Sequence, residues 1–138
     1  MIILDTNVLS ELMLRVPDDR VLIWLDQQPR SSIWTTSVSV FEIRFGLESM
    51  PVGKRQAALM QDLEKMLDSI EGRVAPFDVE AAERASTLMA SRKLQGRPRE
   101  DRDTMIAGIV LARHATLATR NVAHFDDLSA PVVNPWIA

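Results

Sequence analysis

The chain has 138 residues, of which 46% are hydrophobic and 25% charged, with a net charge of −3 and no cysteine. This composition is typical of one folded domain and excludes a disordered chain, a strongly basic nucleic-acid binder, a disulfide framework and a cysteine-rich zinc site. We therefore expect a single domain over residues 1–138 in the cytoplasm, and contacts with RNA or DNA through a local patch, a metal or a partner.

Neither an export signal nor a membrane span is expected. Only four residues precede Asp5, and no basic segment leads into an apolar run, so the N-terminus does not match a signal peptide. No stretch approaches the roughly 18 apolar residues that cross a membrane.

In the first half of the chain, apolar strands alternate with amphipathic helices. The opening run Met1–Leu4 is unbroken and apolar, which indicates a short buried strand, and Pro17 and Pro29 each end a helix. The predicted elements are a strand over 1–4, a helix from Thr6 or Asn7 to about Leu14, a helix over 19–27, a strand over 32–36, a helix from Ser37 or Ser39 to about Leu47, and a helix over 54–70.

The second half continues this alternation. The predicted elements are a strand over 74–77, a helix from Asp78 to about Leu94, a loop over 95–99, a helix from Asp103 to about His114, a strand over 117–119 and a short strand over 131–134. Alternation of this kind favours an α/β fold, with a parallel sheet and helices on both faces.

Asp5 follows the first predicted strand, at the edge where open parallel sheets place their ligands. An aspartate before a helix is about as often a helix cap as a functional residue. Thr6 and Asn7 add a hydroxyl and an amide that can orient the carboxylate or a bound water. Together these residues make Asp5 a candidate metal ligand.

Glu42 lies among apolar neighbours in the third predicted helix, where a charged side chain is rarely buried without a partner. The spacing from Ser39 to Glu42 also matches a capping box, which would give Glu42 a structural role only. Gly46, four residues on, would let a second backbone or a substrate approach closely.

Asp103 opens a helix that is otherwise apolar. Its ordinary role would be a first-turn acid that complements the helix dipole, and Asp101 could fill that role equally well. Carboxylates gathered without basic partners raise one another's pKa and favour a bound cation. Asp5, Glu42 and Asp103 are therefore a candidate divalent-metal site for phosphoester chemistry.

Basic residues are concentrated just before that aspartate, at Arg92, Lys93, Arg97, Arg99 and Arg102. Arginine suits phosphate because its donors form a planar fork. A solvated loop is the ordinary explanation for any single one of them, but their position next to Asp103 makes the group a candidate for phosphate binding.

Other chemical motifs are absent or poorly spaced. There is no P-loop, no dinucleotide-binding glycine motif and no serine-nucleophile elbow. Asn7 stands where a haloacid-dehalogenase-like phosphatase needs its second aspartate. His114 and His124 lack the spacing of zinc ligands, and we predict that neither is a ligand.

Four segments resemble the PIN-domain ribonucleases and follow that family's order: Leu4–Ser10, Glu42–Gly46, Asp103–Ala107 and Ala118–Asn121. They are most similar to VapC-type toxins of bacterial toxin–antitoxin pairs. The ending Asn134–Trp136 is similar to that of a FitB-like subset. Each motif alone is weak, whereas four in register along almost the whole chain are fairly specific.

The resemblance implies a three-layer α/β/α sandwich around a parallel sheet, and an endoribonuclease that acts in toxins on transfer or ribosomal RNA. It implies that Asp5 and Asp103 hold Mg²⁺ or Mn²⁺, and that Glu42 completes the triad and positions or deprotonates the attacking water. The family often has an aspartate where Asn121 stands, so the fourth position of the site is neutral here. The expected substrate contacts are Thr6, Asn7, Arg97, Arg99 and Arg102.

The resemblance also implies partners: an RNA substrate, a cognate VapB-type antitoxin, a second copy in a homodimer, and DNA only indirectly through the antitoxin. A FitB-like subunit that occupies DNA with a partner and cuts little is the alternative, which Asn121 and the acidic composition leave open. A nuclease that acts on DNA is a further alternative. The intact set of Asp5, Glu42 and Asp103 favours the ribonuclease.

Overall fold

In the computed structural model, which describes residues 1–138, strands and helices alternate along the chain. The elements are β1 (Ile2–Leu4), α1 (Thr6–Leu12), α2 (Asp19–Asp26), β2 (Ile33–Thr36), α3 (Ser37–Glu48), α4 (Lys54–Ser69), β3 (Val74–Ala75), α5 (Val79–Leu94), α6 (Asp101–Ala112), β4 (Thr116–Ala118) and β5 (Val132–Val133). Two 3₁₀ turns lie at Arg30–Ser32 and Val122–Phe125. Every predicted strand and helix is present, most with ends one to three residues shorter than expected.

The five strands form one parallel sheet in the order β3-β2-β1-β4-β5. The central strand β1 pairs with β2 on one side and β4 on the other, with Ile2 opposite both Ile33 and Thr116. The chain therefore winds outward from β1 in both directions, and the strand order reverses between β1 and β4. Open sheets bind ligands at the carboxyl ends of the strands beside such a reversal.

Helices cover both faces of the sheet, which confirms the predicted three-layer α/β/α architecture. Leu4 points into a core shared with α1, α2, α4 and the end of α3, whereas Ile3 points into a second core shared with α5 and α6. This division follows from the strand geometry, because successive side chains of a strand point to opposite faces.

Helices α5 and α6 pack closely, as the small residues Ala107 and Gly108 predict. A Cβ added at Gly108 would lie 2.5 Å from the Ala81 carbonyl oxygen and 2.7 Å from Ala85 Cβ. A Cβ at Gly46 would meet no atom within 4 Å, so the close backbone approach considered for that residue does not occur.

Three helix starts differ from the sequence prediction. Asp5, and not Thr6 or Asn7, caps α1. Thr36 caps α3. Helix α6 begins at Asp101, which places Asp103 in its first turn. Asp5 and Thr36 each directly precede the expected cap and have the extended backbone and the side-chain oxygen that start a helix. For α6 the N-cap is Glu100, which has the extended backbone but makes no side-chain cap hydrogen bond. No helix is both long and apolar enough to cross a membrane.

Candidate metal centre and active site

Asp5 is the most enclosed of the predicted acids, with 4% of its surface exposed. The end of β1 delivers it to the carboxyl edge of the sheet, where its backbone N–H donates to the Ala118 carbonyl of β4 at 2.9 Å. Its Oδ1 accepts from the Thr6 backbone N–H at 2.7 Å, and its Oδ2 accepts from the Thr119 hydroxyl, also at 2.7 Å. Asp5 is thus both a helix cap and a carboxylate held rigidly at the point where the strand order reverses.

Glu42 lies beside the same edge and does not form a capping box. The Ser39 backbone N–H donates to the Thr36 hydroxyl at 3.0 Å, so Ser39 is inside the helix and Glu42 is left free. The Thr6 hydroxyl donates to Glu42 Oε1 at 3.0 Å and lies 2.9 Å from Ser39 Oγ. These contacts tie Glu42 to the residue that follows Asp5, which the capping interpretation did not foresee.

Asp103 reaches the edge from the first turn of α6. Its Oδ2 lies 3.0 Å from His124 Nδ1, on the 3₁₀ turn that follows β4. His124 was predicted not to be a metal ligand, and its sequence context indicated no other role. The structure places it in direct contact with a predicted member of the site.

Asn7 joins the ends of β1 and β4. Its Nδ2 donates to Thr119 Oγ1 at 3.3 Å and to Asp5 Oδ2 at 3.5 Å, while its Oδ1 accepts from the Arg120 backbone N–H at 3.1 Å. Thr6 is likewise engaged with groups of the chain itself. Both residues therefore shape the acidic edge from within, and their predicted contact with substrate stays a prediction.

Asn121 is exposed and its side chain makes no hydrogen bond, whereas its backbone N–H donates to Thr119 Oγ1 at 3.1 Å. Its predicted place as the fourth member of the site stays a prediction. Among the residues that follow β4, Thr119 contacts Asp5 and His124 contacts Asp103.

The three acids influence one another electrostatically. Burial raises the pKa of the Asp5 carboxyl above 3.8, hydrogen bonds from Thr119 and Thr6 partly offset that rise, and the negative charge of Asp103 adds to it. Burial also raises the pKa of Glu42, which the hydrogen bond from Thr6 and the positive charge of Arg102 lower. Repulsion by Asp5 and Asp103 raises the Glu42 pKa further, so the three charges share one small region.

This donor set fits a hard divalent cation. Asp5 has no basic ion-pair partner, and mainly the hydrogen bonds from Thr119 and Thr6 offset the cost of burying its charge. No group of three Asp, Glu or His side chains forms a ready-made ligand cage. Mg²⁺ seldom uses such a cage, since it keeps several waters and takes one or two carboxylates together with substrate phosphates.

The predicted basic residues fall into two groups. Arg102 lies 3.8 Å from Glu42 Oε2 and stays beside the acids. Arg97 and Arg99 instead pair with Asp126, at 3.2 and 3.5 Å. Asp126 therefore offsets part of the positive charge that the sequence suggested for the loop before α6.

Arg92 was expected in that same basic segment, but it is an internal anchor with 2% of its surface exposed. Its Nε and Nη2 each donate to the Asp127 carboxylate at 2.8 Å, and Nη1 donates to Thr104 Oγ1 at 2.9 Å. Nη2 also reaches the His124 carbonyl at 3.2 Å. Arg92 thus holds α5, α6 and the Val122–Phe125 turn together and cannot contact RNA.

Three residues of the site were not predicted from the sequence: Thr119, Ser39 and His124. For Thr119 a signal was available, because a threonine directly after a buried parallel strand lies at the same edge as Asp5. For His124 there was none, since its contact with Asp103 depends on how the 3₁₀ turn packs on α6.

The model of the PIN domain family matches residues 2–130. The chain belongs to the PIN-domain family. Among its PIN-domain relatives, VapC ribonuclease Y4jK of Sinorhizobium fredii is 39% identical over 99% of this chain and 98% of its own length. Plasmid stability protein StbB of Pseudomonas syringae pv. tomato is 40% identical over the full length of both chains.

The structure of FitAB bound to an IR36 DNA fragment contains a chain similar to this one. The two chains are 32% identical, the match covers 99% of this chain and 96% of the FitAB chain, and they superpose with a TM-score of 0.88. Family membership and full-length similarity confirm the resemblance that the four sequence motifs predicted, and they agree with the PIN-like sandwich described above.

Proposed function

We propose that the chain is an Mg²⁺- or Mn²⁺-dependent endoribonuclease and the toxin of a type II toxin–antitoxin pair, acting as one PIN-like domain over residues 1–138 in the cytoplasm. The observation that carries this proposal is the buried Asp5 carboxylate, which faces Asp103 and Glu42 at the reversal point of the sheet without a basic ion-pair partner. A PIN-domain relative named VapC ribonuclease, 39% identical over nearly the whole length, supports the same activity.

Asp5 and Asp103 would hold the cation, and Glu42 would complete the triad. When bound, the cation supplies positive charge for the scissile phosphate and lowers the pKa of water. Thr119 and Thr6 fix the Asp5 oxygens, so the carboxylate is held in one orientation before any ligand arrives.

Glu42 accepts the proton of the attacking water in this proposal. Burial and the neighbouring acids raise its pKa, which brings a carboxylate closer to the range in which it works as a general base. The Thr6 hydroxyl donates a hydrogen bond to Glu42 Oε1. Glu42 Oε2, which lies 3.8 Å from Arg102, is therefore the oxygen that accepts the proton.

Arginines at the same edge would bind the RNA backbone. Arg102 lies beside Glu42, and Arg97 and Arg99 are exposed or half-buried next to Asp126. An RNA phosphate would compete with Asp126 for these two guanidinium groups, so their contribution to binding is smaller than that of an unpaired arginine. Thr6 and Asn7 complete the proposed substrate contacts.

The proposed partners are an RNA substrate, a VapB-type antitoxin, a second copy of the chain, and DNA indirectly through the antitoxin. Full-length similarity to Toxin FitB of Neisseria gonorrhoeae, and to a chain of the FitAB complex on DNA, supports the antitoxin. An exposed aromatic pair on α3, Phe41 and Phe45, supports the homodimer, because soluble chains seldom leave large apolar side chains together in water.

The test of the activity is cleavage by the purified chain of transfer RNA, ribosomal RNA and single-stranded DNA, with Mg²⁺, Mn²⁺ or a chelator. We expect RNA cleavage that requires the cation and is abolished in Asp103→Asn. Asp101→Asn is the matched control, because Asp101 is an exposed acid in the same helical turn. Cleavage by the Asp103 variant at the unsubstituted rate would refute the proposed site.

A FitB-like subunit that binds DNA with a partner and cuts little is the second candidate. The FitAB complex on DNA favours it, together with the neutral Asn121. Three results would support this function over the ribonuclease. The chain would cleave no nucleic acid, Mg²⁺ and Mn²⁺ would not change this, and it would bind DNA only with a co-expressed partner.

A further inference from the structure

We propose that His124 is a positioning residue of the site, and that it holds Asp103 in place for the cation. This inference rests on the proposed function, since it assumes that Asp103 binds a divalent cation. It concerns a residue outside the predicted triad.

The contact between the two side chains leaves one oxygen of the acid available. His124 Nδ1 lies 3.0 Å from Asp103 Oδ2, which is hydrogen-bonding distance, and Oδ1 accepts no hydrogen bond from the chain. With its proton on Nδ1, the ring donates to Oδ2 and leaves Oδ1 for the cation. Asn121 makes no comparable contact, because only its backbone N–H is engaged.

The His124 backbone is itself held in place. The buried Arg92 donates to the His124 carbonyl at 3.2 Å, and the next residue, Phe125, is almost completely buried. The same guanidinium donates to Thr104 Oγ1 at 2.9 Å, one residue after Asp103. The Arg92 guanidinium therefore contacts the His124 backbone and the residue next to Asp103. These two contacts fix the distance between His124 and Asp103.

A carboxylate that is held by a fixed donor keeps the orientation that suits the cation. Residues that orient a metal ligand in this way typically change affinity by about 10- to 100-fold when they are removed. The pair is also accessible enough to serve a ligand from solvent, since the His124 side chain is 49% exposed and that of Asp103 is 17% exposed.

The experiment is calorimetric titration of the purified chain with Mn²⁺ in the absence of RNA. We expect His124→Leu to weaken Mn²⁺ binding by about 10- to 100-fold. His124→Asn should restore most of the affinity, because the asparagine amide places an N–H donor close to the position of Nδ1. A residue with only a packing role would not be rescued by this smaller polar side chain.

One variant serves as the matched control. His114→Asn alters the only other histidine, which is exposed just after α6 with a φ of 51°, a conformation that asparagine tolerates. It should bind Mn²⁺ like the unsubstituted chain.

Pulsed electron paramagnetic resonance of the bound Mn²⁺ should show no directly coordinated nitrogen. Unchanged affinity in His124→Leu, or a coordinated nitrogen that this substitution removes, would overturn the positioning role while leaving the metal site intact. Absence of Mn²⁺ binding by the unsubstituted chain would instead overturn the proposed function, and this inference with it.

Discussion

At the scale of single residues, Thr119 determines how Asp5 can remain charged inside the protein. Its hydroxyl donates to Asp5 Oδ2 at 2.7 Å and accepts from the backbone N–H of Asn121 and the side chain of Asn7. A hydrogen bond to a buried charge contributes more to stability than one between neutral groups. Thr119 is therefore a test of whether Asp5 is ionised in the folded chain.

We expect Thr119→Val to lower the free energy of unfolding by about 2 kcal/mol at neutral pH, because a charged acceptor loses its donor. Burial raises the pKa of Asp5 above 3.8, the ordinary value of an aspartate. The contribution of Asp5 to the free energy of unfolding is therefore complete below pH 3.8 and is lost as the pH rises through the folded-state pKa. The Thr119 bond offsets part of the loss only while Asp5 is ionised.

The destabilisation by Thr119→Val should therefore shrink as the pH falls through the raised Asp5 pKa towards 3.8. Thr119→Ser, which keeps the hydroxyl, should behave like the unsubstituted chain throughout. Urea unfolding of the three proteins between neutral pH and pH 4 measures this. A pH-independent difference between threonine and valine would mean that Asp5 is not charged when folded.

Glu42 is the residue for which catalytic and structural roles separate most clearly. We expect Glu42→Gln to reduce RNA cleavage by roughly 100- to 10,000-fold, because an amide cannot accept a proton from water. Stability should be retained, since Thr36 and not Glu42 caps α3. Cleavage rate and melting temperature are the two measurements.

Glu48→Gln, an exposed acid at the end of the same helix, is the control and should cleave normally. A Glu42 variant that cleaves at the control's rate would remove Glu42 from the mechanism.

At the scale of elements, the contact between α5 and α6 positions Asp103. The two helices touch at Gly108, where a side chain would overlap the backbone of Ala81 and Ala85. We expect Gly108→Ala to destabilise the fold by about 1–3 kcal/mol, because overpacking forces the backbone apart. Melting temperature and RNA cleavage should fall together, since α6 carries Asp103.

Gly46→Ala is the matched change on α3, where a Cβ meets nothing within 4 Å. It should stabilise the fold by roughly 0.5–1 kcal/mol, because alanine favours a helix interior over glycine. The two substitutions are chemically identical. Changes of opposite sign in the free energy of unfolding would establish that the space between the helices, and not helix propensity, determines the effect at residue 108.

At the scale of the whole molecule, the apolar surface on α3 is the feature that most needs a partner. Phe41 and Phe45 are 58% and 59% exposed, and their ring centroids lie 6.2 Å apart. With Phe77 and Met105 they line an open cavity of about 590 Å³. We expect this face to form the homodimer interface.

Phe45→Glu should convert the dimer into a monomer in sedimentation experiments at micromolar concentration, because a charge at the interface is costly to bury. Val52→Glu, at a 95% exposed residue outside this face, should leave the dimer unchanged. A monomeric unsubstituted chain, or a dimer that tolerates the Phe45 change, would place the interface elsewhere.

The sequence by itself determined the order and type of the elements. Apolar strands, proline breaks and helical spacing are local properties, so they could be read without knowing any tertiary contact. It also determined that Asp5 would stand at the carboxyl edge of the sheet, because a residue that follows a parallel strand has no other position. The family motifs then gave Glu42 and Asp103 as its companions.

Only the tertiary structure decided which groups these acids contact. Thr119 lies 114 residues from Asp5, and their hydrogen bond exists because β1 and β4 pair in one particular register. Arg92 and Arg102 belong to the same basic segment of the sequence, yet Arg92 is a buried structural anchor and Arg102 stays beside Glu42. His124 meets Asp103 because Arg92 and Phe125 hold its turn against α6. Long-range pairing and burial determine these roles, and neither is a property of a local segment.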